Sequence, residues 1–225
     1  MKKEIFIGLS IGLLTLGTGS VVFADFYDFE SGTPPVITGG SLEGTSGYTA
    51  FGFGNNFQRS DVSSITLSLS GLDAHTSLDL EFDLAIIDSW DGLTTLGGTA
   101  PIDYFNVEVD SWAVFQETFD NFVSADQSYS ASPAITYGSN IHRSSWPDSA
   151  YHITLSGIPH SASTVNIVWY ASGSGWQGGN DESFAIDNIA LSEESGVPVP
   201  EPATILLFGT GLAGLVGVRF RRKKK

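Results

Sequence analysis

Between Leu78 and Ile86 every second residue is large and apolar, and Asp79, Glu81 and Asp83 fill three of the four positions between. A helix would spread these carboxylates around its circumference. A strand instead sends Leu78, Leu80, Phe82, Leu84 and Ile86 to one face and the acids to the other, so one face meets a dry core and the other meets water. The same period returns at Ile65–Leu69, Phe105–Val109, Val114–Phe119, Tyr151–Leu155, Val165–Tyr170 and Phe184–Leu191, while helical periodicity is nearly absent from 25 to 192. Turn-forming residues at Ser70-Gly71, Asp91-Gly92, Gly97-Gly98, Trp146-Pro147, Gly157–Pro159 and Gly178-Gly179-Asn180 separate the runs. Some nine or ten short strands of this kind predict an all-β fold, an antiparallel β-sandwich. Leu80, Phe82, Leu84 and Ile86 then pack on Phe105, Val107, Ile167 and Trp169 of the opposite sheet. In the last run Phe184 and Ile186 are out of phase with Ile189 and Leu191, which predicts a bulge near Asp187-Asn188. Asn121–Ser149 shows no alternation and reads as a long loop excursion.

Charge divides the chain unevenly. Of ten Lys and Arg residues, two precede residue 25 and six follow residue 218, so residues 25–200 keep only Arg59 and Arg143 against 23 acids. A segment with formal charge −21 repels phosphate backbones, which excludes nucleic acid as a partner. Cysteine is absent, so the core or a metal, rather than disulfides, must hold the fold. A window of this size makes one domain with a core of its own.

Both ends read as addresses. Lys2 and Lys3, the apolar stretch Ile5–Leu16 and Val22-Phe23-Ala24 follow the layout of a secretory signal peptide over 1–24, cut after Ala24, which implies the Sec export machinery. Residues 25–192 form the ectodomain, and 193–202 form a Pro-rich linker. The uncharged run from Ala203 to Val218 makes a helix of roughly 24 Å, slightly short of a ~30 Å hydrocarbon core, and Phe220 with the arginine stems covers the deficit. Arg219, Arg221, Arg222 and three lysines then hold the 203–225 segment with its tail on the cytoplasmic side. The order of Val199-Pro200-Glu201-Pro202, apolar helix and basic stop closely resembles the PEP-CTERM signal of exported bacterial proteins. The resemblance implies an exosortase as processing partner, an inner-membrane-anchored precursor, and a destination at the cell surface or in the extracellular matrix.

Within the ectodomain, Asp88-Ser89-Trp90-Asp91-Gly92 ends the longest alternating run. Asp88 continues the inward phase, so it faces a metal, a backbone nest or the rim, or closes an Asx-turn. An exposed Trp90, with Asp91 and with Trp176 and Asn180 of the Gly-rich loop, is a candidate surface for stacking a sugar ring. The opening Asp28-Phe29-Glu30 and the closing Ile186-Asp187-Asn188-Ile189 resemble the frame of MAM-like and carbohydrate-binding-module-like jelly rolls. In those folds the first and last strands lie together and often share a structural cation. Ca²⁺ takes six to eight oxygens, and Glu30 and Asp187, with nearby carbonyls, could supply several; Asp88 is a further candidate ligand.

Glu81 and Asp83, two apart on one strand face, resemble the catalytic strand of family-16 glycoside hydrolases. The further glutamate of that pattern is missing, because Leu84-Ala85-Ile86 follows, so the proton donor of a retaining mechanism is missing too. No nucleophile elbow, zinc-binding HExxH or phosphate loop occurs, and His75, His142, His152 and His160 are scattered. The expectation is a non-enzymatic exported protein of the cell surface or biofilm matrix, without catalytic residues. A lectin-like carbohydrate-binding module is the alternative, and a hydrolase is the weakest reading.

Overall fold

The computed structural model describes residues 25–93, 102–133, 142 and 146–194. The signal peptide with Ala24, the sorting residues Val199–Pro202, the apolar span 203–218 and Arg219, Arg221 and Arg222 lie outside them, as does the Gly97-Gly98 turn. Among the described residues eleven strands form: β1 (Asp25–Tyr27), β2 (Ile37–Thr38), β3 (Ser41–Gly44), β4 (Asn56–Ser60), β5 (Ile65–Ser70), β6 (Ser77–Asp88), β7 (Asp103–Val109), β8 (Trp112–Thr118), β9 (Ser149–Pro159), β10 (Thr164–Gly173) and β11 (Glu182–Glu194). They build two antiparallel sheets, one ordered β3-β4-β11-β6-β9 with β1 also on β11, the other β2-β5-β10-β7-β8. The fold is the predicted sandwich.

The alternation of β6 sets the layers. Leu78, Leu80, Phe82, Leu84 and Ile86 are buried in one cluster with Phe105, Val107, Ile167 and Trp169. Phe82 meets Trp169 edge-on at 5.8 Å, and Phe105 meets Phe184 at 5.1 Å. Each such ring removed from water contributes about 1.5–3 kcal/mol. The predicted bulge is present: the β6–β11 register shifts between Asp187 and Ala190, with Asn188 at φ 49°. Gly157, predicted as part of a break, lies inside β9 where the register against β6 shifts, so it bends the strand instead of ending it.

Two features go beyond the alternation. Asp79, Glu81 and Asp83 do face outward, but they are half-buried rather than fully exposed. Asp79 accepts the Gly157 N–H, and Asp83 is held by His152 and Asn188, so neighbouring strands cover them. Further along β6 the outer face becomes apolar. Ala85 and Ile87 join Ala150 and Ala185 under Tyr48, Phe53 and Phe57, a second small core outside the six-stranded sheet.

Candidate functional site

The carboxylates gather at the end of the sandwich where β6 finishes and β11 begins. Asp88 pairs with Glu182 across the two strands and takes φ 70°, which swings the chain that follows. Its N–H donates to Asp148 Oδ1 at 3.1 Å, and its carbonyl accepts from Asn121 Nδ2 at 2.8 Å. The swing carries Trp90 inward. Its side chain is completely buried, its Nε1–H donates to the Ser183 carbonyl at 2.8 Å, and it packs on Phe119 and Trp176. The expected exposed indole is thus corrected: with its one polar atom satisfied, Trp90 belongs to the core. Trp176 is half-buried against it and Asn180 is exposed, so these residues do not form a joint platform with Asp91.

Beside Trp90, three carboxylates from separate segments converge. Asp91 leaves β6, Asp103 opens β7 and Glu182 opens β11, and one oxygen of each lies within 4.8 Å of the others, a grouping able to hold a metal ion. Asp103 and Glu182 have 0% exposure. Asp103 Oδ2 accepts the Asp91 N–H at 2.8 Å, and Glu182 Oε2 accepts the Gln177 N–H at 2.7 Å. Among the described residues, Asp103 Oδ1 and Glu182 Oε1 have no hydrogen-bond partner. Burial, helped by the neighbouring acids, pushes Asp103 up to about 8 and Glu182 up to about 7, and raises Asp91 as well.

The predicted cation pair is brought together elsewhere, on the outer face of the six-stranded sheet. Glu30 and Asp187 both converge on the turn at Gly54. Asp187 Oδ2 accepts the Gly54 N–H at 2.9 Å, and Glu30 Oε1 accepts the Asn55 and Asn56 N–H groups. Gly54 lets the Glu30 carboxylate lie close against the turn, and a Cβ there would push that side chain aside. Burial, with Asp83 and Glu30 nearby, pushes Asp187 up to about 7, whereas the Asn55 and Asn56 donors lower Glu30. Asp88 does not belong to this group. Asp187 pairs with Asp83, five residues back along β6 and roughly 17 Å from Asp88. Glu81 and Asp83 share His152 as neighbour, at 3.8 and 2.8 Å, on the same outer face.

The opposite end of the sandwich is built differently. Asp110 and Ser111, at φ 49° and 69°, form a two-residue hairpin of the primed kind between β7 and β8. Trp112 then stands directly opposite Val109 and therefore on the inward side of the edge strand, yet it is 79% exposed. It lines a groove of about 490 Å³ with Asp110, Val114, Ile158, Pro159 and His160. This groove lies between β8 and β9, the edge strands of the two sheets. A hydrogen-bonded chain runs back from the groove residues Asp110 and His160: His160 reaches Asp110 at 3.1 Å and contacts His75 at 2.6 Å, and His75 donates to the Asp73 carbonyl at 2.6 Å. The imidazoles are parallel within 7° with centroids 4.9 Å apart, so short an N···N contact placing them edge to edge. The sequence marked neither these histidines nor Trp112 as a site; the Asp110-Ser111-Trp112 turn between two alternating runs was the available signal.

Residues 198–223 match the PEP-CTERM protein-sorting motif. The chain therefore carries a sorting signal of the kind that implies export and exosortase processing. None of the curated proteins matches. Among solved structures the chain is similar to a CBM36 carbohydrate-binding module in complex with calcium and xylotriose, at 11% identity and TM-score 0.36, over 69% of this chain and 92% of that one. It is also similar to the CBM22-1 xylan-binding domain from Paenibacillus barcinonensis Xyn10C, at 12% identity and TM-score 0.36, covering 78% and 97%. A family GH115 4-O-methyl-alpha-glucuronidase matches at 14% identity and TM-score 0.37 over 78% of this chain, which spans 18% of that enzyme.

Proposed function

We propose that this protein is a non-catalytic glycan-binding module of the cell surface or extracellular matrix, released from its membrane anchor by cleavage near Pro200-Glu201-Pro202. The observation that carries the reading is Trp112. An indole that lies on the inward side of an edge strand but faces water offers an apolar plate for the C–H face of a sugar ring. Asp110, on the same groove, supplies an acceptor for sugar hydroxyls, and the volume suits a small ligand. Among the described residues that line the groove Asp110 is the one carboxylate, whereas glycoside hydrolysis needs two flanking the scissile bond.

A glycan array probed with the protein released from cells, beside its Trp112→Ala variant, tests the proposal. Binding that disappears in the variant is expected. Equal binding by both forms would move the site away from the groove, and no binding by either would favour a purely structural role. Intact mass of the released form tests the sorting step: retention of the Arg219–Lys225 tail would contradict cleavage. A structural Ca²⁺ at Glu30 and Asp187 is the second reading, favoured by their convergence on Gly54. Loss of Ca²⁺-dependent stabilisation in Asp187→Asn would support it.

A further inference from the structure

We infer that Asp91, Asp103 and Glu182 form a binding site for one Ca²⁺ ion that ties the two sheets together at the end where β11 begins. The inference is independent of the glycan reading, because Trp112 lies at the other end. Asp103 belongs to the five-stranded sheet, Glu182 to the six-stranded sheet, and Asp91 to the loop that crosses between them. An ion held by all three would bridge the layers where no strand ladder joins them.

Asp103 Oδ1 and Glu182 Oε1 are fully buried and lack partners among the described residues, while the other oxygen of each is fixed by a backbone N–H. The amides fix the rotation of each carboxylate, and one oxygen of each lies within 4.8 Å of the others in the cluster. Arg59, the one Lys or Arg among the described residues, gives no relief, being bonded to Glu43, Ser183 and the Gly179 carbonyl. Buried carboxylates without counter-charge are costly, and a divalent cation removes that cost. The donors are all oxygen, which selects Ca²⁺ or Mg²⁺ over softer metals, and half-exposed Asp91 leaves room for water to complete the shell. The site differs from the Glu30–Asp187 pair, whose oxygens accept amide hydrogens from Gly54, Asn55, Asn56 and Asn188.

The full-length protein in detergent, stripped with EDTA, is titrated with Tb³⁺ and excited through tryptophan. Trp90, next to Asp91, should sensitise emission that Ca²⁺ displaces, and Ca²⁺ should raise the melting temperature. Asp103→Asn and Glu182→Gln should each weaken Ca²⁺ binding at least tenfold and abolish the sensitised emission, with near-ultraviolet circular dichroism confirming that both remain folded. Glu30→Gln should leave emission and melting response in place. Melting unchanged by Ca²⁺ would overturn the inference and leave a proton shared between Asp103 and Glu182. Loss confined to Glu30→Gln or Asp187→Asn would place the ion on the outer face instead, also overturning it.

Discussion

The two ends of the sandwich use the same residue types in opposite ways. At the acid-rich end a tryptophan is drawn into the core and carboxylates are buried; at the hairpin end a tryptophan stands in water and the carboxylate beside it is partly exposed. Composition does not separate these outcomes. Single backbone conformations do: a positive φ at Asp88 turns Trp90 under the loops, and two successive positive φ values at Asp110 and Ser111 leave Trp112 opposite Val109 at the tip of an edge strand. A tryptophan's role is therefore set by the turn before it rather than by its neighbours' polarity.

Substitutions that treat both ends alike should break this symmetry of composition. Trp90→Ala should cost about 3–5 kcal/mol in urea denaturation, because it empties a filled site and orphans the Ser183 carbonyl. A smaller loss would mean the indole is not integral to the core. Next in size is the response of metal-free protein to pH. Asp103 and Glu182 titrate at about 8 and about 7 in the folded state, above their ordinary values of 3.8 and 4.5, so the folded form binds more protons between these limits. Stability should accordingly fall as pH rises from about 4 to about 8, with a slope of at most about 1.4 kcal/mol per pH unit from each carboxyl, and Asp103→Asn should flatten it. A stability that climbed over this range would show that the pair is solvated.

At the hairpin end, His160→Phe should cost about 1–2 kcal/mol by leaving the His75 ring nitrogen unpaired, read as a lowered urea midpoint. The smallest effect is expected for Trp112→Ala, within about 0.5 kcal/mol of the parent. A cost comparable to that of Trp90→Ala would mean that Trp112 is a core residue after all.

Much of the fold was legible because burial of one sheet face imposes a period of two. The inward set of β6, its partners on β7 and β10, and the bulge at Asp187 all follow from that constraint. The outer core was less visible, although apolar Ala85 and Ile87 in the outward phase signalled a covering segment. The site was hardest to read. Asp91, Asp103 and Glu182 meet only through β6–β11 pairing and the apposition of two sheets, and nothing local in the sequence encodes that meeting. Glu30 and Asp187 were found because the chain's opening and closing strands carry them, while Asp88 was misplaced because a strand's phase was extended through a residue that breaks it.

The position of β11 has a mechanical consequence. It is bonded to β6 along its length on one side and to β4 and then β1 on the other, and it ends at Glu194, four residues before the sorting motif. Ladder bonds run perpendicular to the strand, so a pull directed along β11 would load them together, in shear, rather than unzipping them singly. A load applied at Glu194 would therefore grip the domain by a strand bonded on both sides.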